Sequence, residues 1–330
     1  MSLEPEENKN LFSSLQLADS PNRSFPGVLH HRIGDIRDLD TCKRIVEESQ
    51  PQVVLHLAAQ SLVRRSYLQP LDTWSINLQG SLNVLESLRD LNQFCAVVMV
   101  TTDKVYKNQE WDYGYREVDR LGGRDPYSAS KAAAELAIDS WRFSFCGHAP
   151  HQTSNLAIAT ARAGNVIGGG DWAVDRLIPD VMRAIAAGKP VEVRSSSATR
   201  PWQHVLEPLG AYLLLAEKLT AAPNQFSEPF NFGPGLEANR SVQQLIESIF
   251  SHWPGSWTDS SDSAALHEAG RLHLQIDKAQ HQLGWSPVWS FFTTVERTVH
   301  WYRNVYEGLS ELDCCLDDLS HYLESFNYVR

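Results

Sequence analysis

Ala96-Val97-Val98-Met99-Val100, running straight into Thr101-Thr102-Asp103-Lys104-Val105-Tyr106, is the stretch on which the fold turns. Its apolar residues do not alternate with polar ones, which suits a strand buried on both faces of a parallel sheet. The run then stops at a hydroxyl, a carboxylate and an ammonium. In open α/β sheets ligands bind beyond the carboxyl ends of the strands, so such an edge is well placed for proton traffic. The plainer reading is a polar turn capped by Asp103, with Lys104 on the surface.

The same strand pattern recurs on both sides. Val53–Leu57 is bounded by Gln50-Pro51 and Ala58-Ala59, Leu156–Ala161 follows later, and Val28–Ile33 runs into Gly34-Asp35. Helical patterns lie between them at Leu39–Glu48, Thr73–Leu91 and Pro126–Ser144, the last with Asp125 as N-cap and Pro126 in the first helical position. This alternation predicts an α/β fold built on a doubly wound parallel sheet. From about Asp171 the elements shorten and Pro, Trp and Arg become frequent, with helices at Val242–Phe250 and Phe291–Tyr306. The expected organisation is a dinucleotide-binding unit over 1–170, a smaller substrate lobe over 171–306 with some elements returning to the sheet, and an acidic extension over 307–330. That extension carries Glu307, Glu311, Asp313, Asp317, Asp318 and Glu324 against Arg330 alone, as a solvated amphipathic helix or a frayed end.

A formal charge of −11 argues against a nucleic-acid or membrane-surface partner. An anionic ligand must then be held by locally placed arginines, lysines or backbone amides. No apolar run approaches the roughly 18 residues that span a bilayer, and Met1–Asn10 is too polar for a secretory signal. Cys42, Cys95, Cys146, Cys314 and Cys315 have neither metal-site nor disulfide spacing, so no metal is expected and reduced thiols in the cytoplasm are.

Tyr127-Ser128-Ala129-Ser130-Lys131 places a phenol and an amine on one helical face. A nearby ammonium stabilises phenolate, which makes Tyr127 a credible base for a sugar hydroxyl. Taken alone, the pair is more often a solvated surface feature; following one short loop after Thr102-Asp103-Lys104, it can face the same pocket. His56-Leu57-Ala58-Ala59-Gln60 puts small residues at a strand end, where they let a flat cofactor approach or serve tight helix–sheet packing. Asp35-Ile36 could flank an adenine ring or cap the helix from Leu39.

These residues, with Ser61–Tyr67, Gly114-Tyr115-Arg116-Glu117 and Tyr127–Lys131, resemble the extended short-chain dehydrogenase/reductase family. Arg162–Ala173, Asp175-Arg176-Leu177-Ile178-Pro179, Arg200–Val205 and Asn231-Phe232-Gly233-Pro234 are similar to its CDP-glucose 4,6-dehydratase branch. The resemblance implies a Rossmann-like sheet, NAD as cofactor against Asp35, Ile36, Leu57, Ala58, Ala59, Tyr127 and Lys131, and CDP-glucose as substrate. It implies that Tyr127 deprotonates the C4 hydroxyl while hydride leaves C4, with Lys131 lowering the phenol pKa. Thr102 would hold the C4 oxygen, Lys104 remove the C5 proton, Asp103 protonate the departing C6 hydroxyl, and hydride return to C6. Arg64, Asn165, Arg176, Arg200 and Asn231 would bind the substrate. An ammonium cannot accept a proton, so that role requires Lys104 as the amine; the dTDP-glucose relatives carry glutamate there.

The family's Gly-rich strand–turn–helix is not found in the sequence, which leaves the Rossmann-like sheet N-terminally incomplete and predicts weak NAD binding by these residues alone. Two alternatives stay open: a nucleotide-sugar 4-epimerase, and a non-catalytic remnant that binds a nucleotide sugar or a partner subunit. Helices 73–91 and 126–144 would form a family-like homodimer interface.

Overall fold

The computed structural model describes residues 1–3, 10–15, 28–146, 155–260 and 271–329, with side chains to 326. At its centre lies a four-stranded, all-parallel sheet of β1 (Val53–His56), β2 (Cys95–Val100), β3 (Leu156–Ala163) and β4 (Pro229–Phe232), ordered in space as in the chain. Val53 lies opposite Ala96, Cys95 opposite Leu156, and Ala161 opposite Phe230.

The unbroken apolar run of β2 is explained by its two faces. Val97 and Met99 pack with Leu85, Leu88 and Ile138 on one side, while Ala96 and Val98 pack with Ala211, Leu215 and Leu219 on the other. Successive side chains of a strand point to opposite faces, so only a strand covered on both can be apolar throughout. A further cluster, with Val181, Leu245, Ile246, Val295 and Trp301 at its heart, forms the core of the later half.

Val28–Ile33 departs from expectation. It is not a strand; only Ile33 forms an isolated bridge, to Ser2, and Val28 is 80% exposed. An apolar run becomes a strand only where a neighbouring edge pairs with it, and none of the described residues pairs with Val28–Arg32 in this way. The expected helix at Thr73–Leu91 spans 70–88 instead, because Pro70 is favourable in the first position. Its middle, Ser75–Gly80, is wound as π-helix. There Asn77 accepts from Gln60 N (2.9 Å) and donates to Gln60 O and Ser130 Oγ (both 3.0 Å), tying the segment after β1 to the next helix.

That next helix, Pro126–Phe145, starts on a full capping box between Asp125 and Ser128 with Pro126 in its first turn. Gly123 lies against the backbone of Ser128 and Ala129 so closely that a Cβ there would overlap it. The acidic extension is neither frayed nor free: Glu311–Val329 is a helix packed on Phe291–Tyr306. No helix of the described residues is long and apolar enough to cross a membrane.

Candidate active site

Past the end of β2 the chain makes one 3-10 turn, Asp103–Val105, with Thr102 as its N-cap. Thr102 Oγ1 donates to Asp103 Oδ1 (3.0 Å), and Lys104 Nζ is 3.6 Å from the same oxygen. Asp103 is fully enclosed, and its Oδ2 has no partner among the described residues. Gly164 abuts this carboxylate; any Cβ at 164 would collide with it.

The helix Pro126–Phe145 brings Tyr127 alongside. Burial pushes its phenol up, while the Lys104 ammonium and a hydrogen bond with Thr102 act in the opposite direction. Lys131, one turn on, donates to Val100 O (3.1 Å) and so fastens the helix to the tip of β2. Burial pulls its amine down to about 8, opposed by Glu135. The family resemblance gave Lys131 the task of favouring phenolate. Here the first cation acting on the phenol is Lys104, with Arg176 a lesser one.

Beneath these groups lies a buried ionic network. Glu135 accepts from Thr101 (2.5 Å), Thr160 (2.9 Å) and Arg162 (2.7 Å). Arg162 also donates to Tyr106 Oη (2.9 Å), whose hydroxyl donates to Asn231 Oδ1 (2.7 Å). Glu135 sits four residues after Lys131, one helical turn along the same face, a spacing from which its proximity could have been foreseen.

Tyr127, Thr102 and Lys104 line one cavity of about 800 Å³, together with Arg64, Asn165, Arg176 and Arg200. Asn165 is held at φ 30° and its buried Oδ1 has no partner among the described residues. Arg176 donates to Asp171 (3.0 Å) and Ser61 (2.7 Å), and Arg64 lies 3.8 Å from Asp175. The carboxylates of Asp171 and Asp175, also in the cavity wall, had carried no expected role. Both fall within the stretches that carry the family resemblance, which was the signal that could have singled them out.

Asp103 and Lys131 stand behind the wall rather than in it, and Leu57-Ala58-Ala59 lie just past β1, outside the cavity lining, with Leu57 half-exposed. Two expectations need correction. Asn231 does not face the substrate space: it is fully buried, and its amide donates to Tyr115 O (2.8 Å) and Gln275 O (3.1 Å). The Ile36 side chain is buried against Gly80 and presents no face to a ring, while Asp35 is ion-paired with Arg37 (2.6 Å).

One group of metal-ligand residue types does occur, His252, Glu296 and His300, with ligand atoms within 4.8 Å of one another. None of the three lines the cavity. Zinc bonds of about 2.0–2.1 Å need tighter convergence than that, and Arg297 and Arg303 beside His300 oppose a cation.

The comparisons with known proteins agree with this geometry. Residues 5–298 match the family model for GDP-mannose 4,6 dehydratase. The chain is 41% identical over 300 residues to the CDP-glucose 4,6-dehydratase of Salmonella typhimurium, covering 90% of this chain and 83% of that one. It is 28% identical to a dTDP-glucose 4,6-dehydratase of Xanthomonas campestris, over 82% of this chain and 77% of the relative. Among solved structures, the dTDP-glucose 4,6-dehydratase DesIV of Streptomyces venezuelae, with NAD and TYD bound, superposes with a TM-score of 0.70 at 25% identity, covering 82% of this chain and 78% of its own. A strand tip bearing Thr102-Asp103-Lys104, a helix bearing Tyr127 and Lys131, and a matched span this long have one explanation: the chain belongs to the GDP-mannose 4,6-dehydratase family of extended short-chain dehydrogenase/reductases.

Proposed function

We propose that this chain is a hydro-lyase that converts CDP-glucose to CDP-4-keto-6-deoxyglucose. The observation that carries the reading is the convergence of Tyr127, Thr102 and Lys104 on one cavity whose remaining wall supplies Arg64, Arg176 and Arg200. One end can move protons; the rest can hold a diphosphate, which guanidinium forks suit. NAD, when bound, supplies a two-electron acceptor that takes and returns hydride. The open end of β1, with small Ala58 and Ala59 beside half-exposed Leu57, would hold the flat ring of the cofactor.

Tyr127 takes the C4 hydroxyl proton, and Thr102 holds the C4 oxygen. The ketone so formed makes the C5 hydrogen acidic, because the carbanion is delocalised as an enolate. Lys104, in the cavity wall, removes that proton as the amine. Asp103, hydrogen-bonded to Thr102 and beside Lys104, is assigned the proton that leaves with the C6 hydroxyl as water. We place the nucleotide-sugar contacts mainly in residues 171–306 and the cofactor contacts in residues 1–170. The cytoplasm suits a nucleotide-sugar enzyme whose five cysteines are thiols. A homodimer through helices 73–91 and 126–144 is supported by exposed Leu136 and Phe143, seven residues apart on one face. Light scattering should then give twice the chain mass, and the Leu136→Lys, Phe143→Lys variant the mass of one chain.

The deciding assay incubates the chain with NAD and CDP-, UDP-, dTDP- or GDP-glucose and follows the alkaline absorbance of a 4-keto-6-deoxy sugar. CDP-glucose is expected to give product, and turnover of a different nucleotide sugar alone would overturn the substrate assignment. Lys104→Ala is expected to keep sugar-dependent oxidation at C4 while losing the dehydrated product, a drop of about 10²–10⁴ in overall rate. Undiminished product from that variant would remove Lys104 from the mechanism.

A further inference from the structure

The match to the family model ends at residue 298, so the helix Glu311–Val329 lies outside it. That helix does not touch the cavity, yet its side chains reach the two segments that form the cavity's far wall. The first segment is Gln203–His204, whose strand pairs in parallel with Val166–Ile167; Asn165, Ile167, Trp202 and Val205 from this ribbon line the cavity. Behind the ribbon, His204 is 1% exposed, and its ring meets Trp289 edge-on at 4.7 Å. Its Nε2 makes no hydrogen bond among the described residues and lies 3.9 Å from Asp318 Oδ2 of the tail helix. Asp318 is itself buried and accepts from Arg297 (2.7 Å).

Glu207 follows directly on this ribbon and is 1% exposed. One of its oxygens accepts from the backbones of Val288 (2.9 Å) and Trp289 (2.7 Å), and the other accepts from Tyr322 Oη (3.0 Å) of the tail helix. Trp289 in turn donates to Ser325 (3.1 Å).

The second segment is Gly168-Gly169-Gly170-Asp171. Trp301 lies flat enough on Gly169 that no Cβ could be placed there, and Trp301 Nε1 points at Cys315 Sγ (3.4 Å) of the tail helix. Tyr302 Oη donates to Asp171 O (2.6 Å). Both cavity-lining segments therefore rest on a layer whose outer side is the tail helix. Buried polar groups fixed at this density are costly to displace and hold their neighbours in one arrangement.

We infer that the helix Glu311–Val329 is a positioning element of the substrate site, with Asp318 and Tyr322 setting the ribbon that carries the nucleotide-sugar wall. This rests on the proposed function for the identity of the ligand. Neither residue touches substrate; each acts through His204, Arg297 or Glu207.

The test uses the full chain with Asp318→Asn, Asp318→Glu and Tyr322→Phe. Expected for Asp318→Asn and Tyr322→Phe is a rise in KM for the nucleotide sugar of about tenfold, less than the hundredfold a full ångström of misplacement can cost. The kcat and the catalytically active fraction should stay at wild-type values, and Asp318→Glu should recover part of the KM. Calorimetric titration with CDP, UDP, dTDP and GDP should show the same weakening for whichever diphosphate the wild type binds. A purely structural tail would instead reduce the active fraction and leave KM alone; that result, or unchanged KM and diphosphate affinity, overturns the inference. Tyr322→Phe removes a single oxygen atom, so it carries the test even where Asp318→Asn folds poorly. Wild-type failure on every nucleotide sugar would strike the proposed function, while diphosphate binding by the variants would still decide this point.

Discussion

Tyr127→Phe should lower kcat by about three orders of magnitude, with the fold intact. The variant deletes one hydroxyl and leaves the ring, which is 7% exposed at the foot of the Pro126–Phe145 helix. A positioned general base contributes about 10²–10⁴, and neither Lys131 nor Thr102 is placed to take over the role. Lys131 is committed to the Val100 carbonyl and Thr102 hydrogen-bonds to Asp103. Burial disfavours the phenolate in the ligand-free pocket, so the proton is best moved only when a substrate hydroxyl is in place against Tyr127. Stopped-flow mixing with NAD and sugar should show no reduction of the cofactor in this variant, and a variant that still reduced it at the wild-type rate would take the proton-accepting role from Tyr127. Thermal unfolding should move little, which separates this loss from misfolding.

Glu135→Ala should cost about 3–5 kcal/mol of stability, the usual result of leaving one partner of a buried ion pair alone. Glu135 and Arg162 are each 3% exposed by side chain, and the carboxylate also satisfies Thr101 and Thr160. Removing it strands a guanidinium and two hydroxyls. Replacing both Glu135 and Arg162 with apolar residues of similar volume should be far better tolerated, since neither charge is then left unpaired. Urea unfolding of the two variants and their combination measures the difference, and additive losses would contradict the pairing. Activity should fall with Glu135 as well, because Thr101 immediately precedes Thr102. The pH dependence has a definite sign. Burial raises the Glu135 pKa, but Arg162 and the hydrogen bonds outweigh it and hold it below its ordinary 4.5. A carboxyl with a depressed folded value contributes stability above its ordinary pKa and loses it as the pH falls through the folded one. The gap between wild type and Glu135→Gln should therefore narrow on acidification below pH 4.5.

The parallel sheet was legible because burial on both faces leaves its mark in every residue of β2. The Pro126 helix start was legible from Asp125 and Pro126, whose cap chemistry is local. Val28–Ile33 misled for the opposite reason: a β-like composition says nothing of whether an edge is there to pair with it. In the cavity, Tyr127, Thr102, Lys104, Arg64, Asn165, Arg176 and Arg200 converge as their motifs suggested. Asn231 did not, since a motif records that a residue matters without saying whether it faces ligand or lattice; its amide stitches Tyr106 to Tyr115 and Gln275. The docking of Glu311–Val329 was hidden because its acidic residues look solvated. The partners that bury Asp318, Arg297 and His204, are distant in the chain and unremarkable in composition.

The wide-wound turns at Ser75–Gly80 bear on how this chain tolerates changes of length. A regular helix advances about 100° per residue, so one residue more or fewer swings everything downstream by more than a quarter turn. A π segment already holds a surplus residue. Deleting one within 75–80 would let the rod close into ordinary winding with little loss of backbone bonding. It would also rotate Asn77 out of reach of Gln60 and Ser130, uncoupling the loop after β1 from the Tyr127 helix. Insertions and deletions that are silent elsewhere on the surface would, in this stretch, reset the angle between two walls of one chamber.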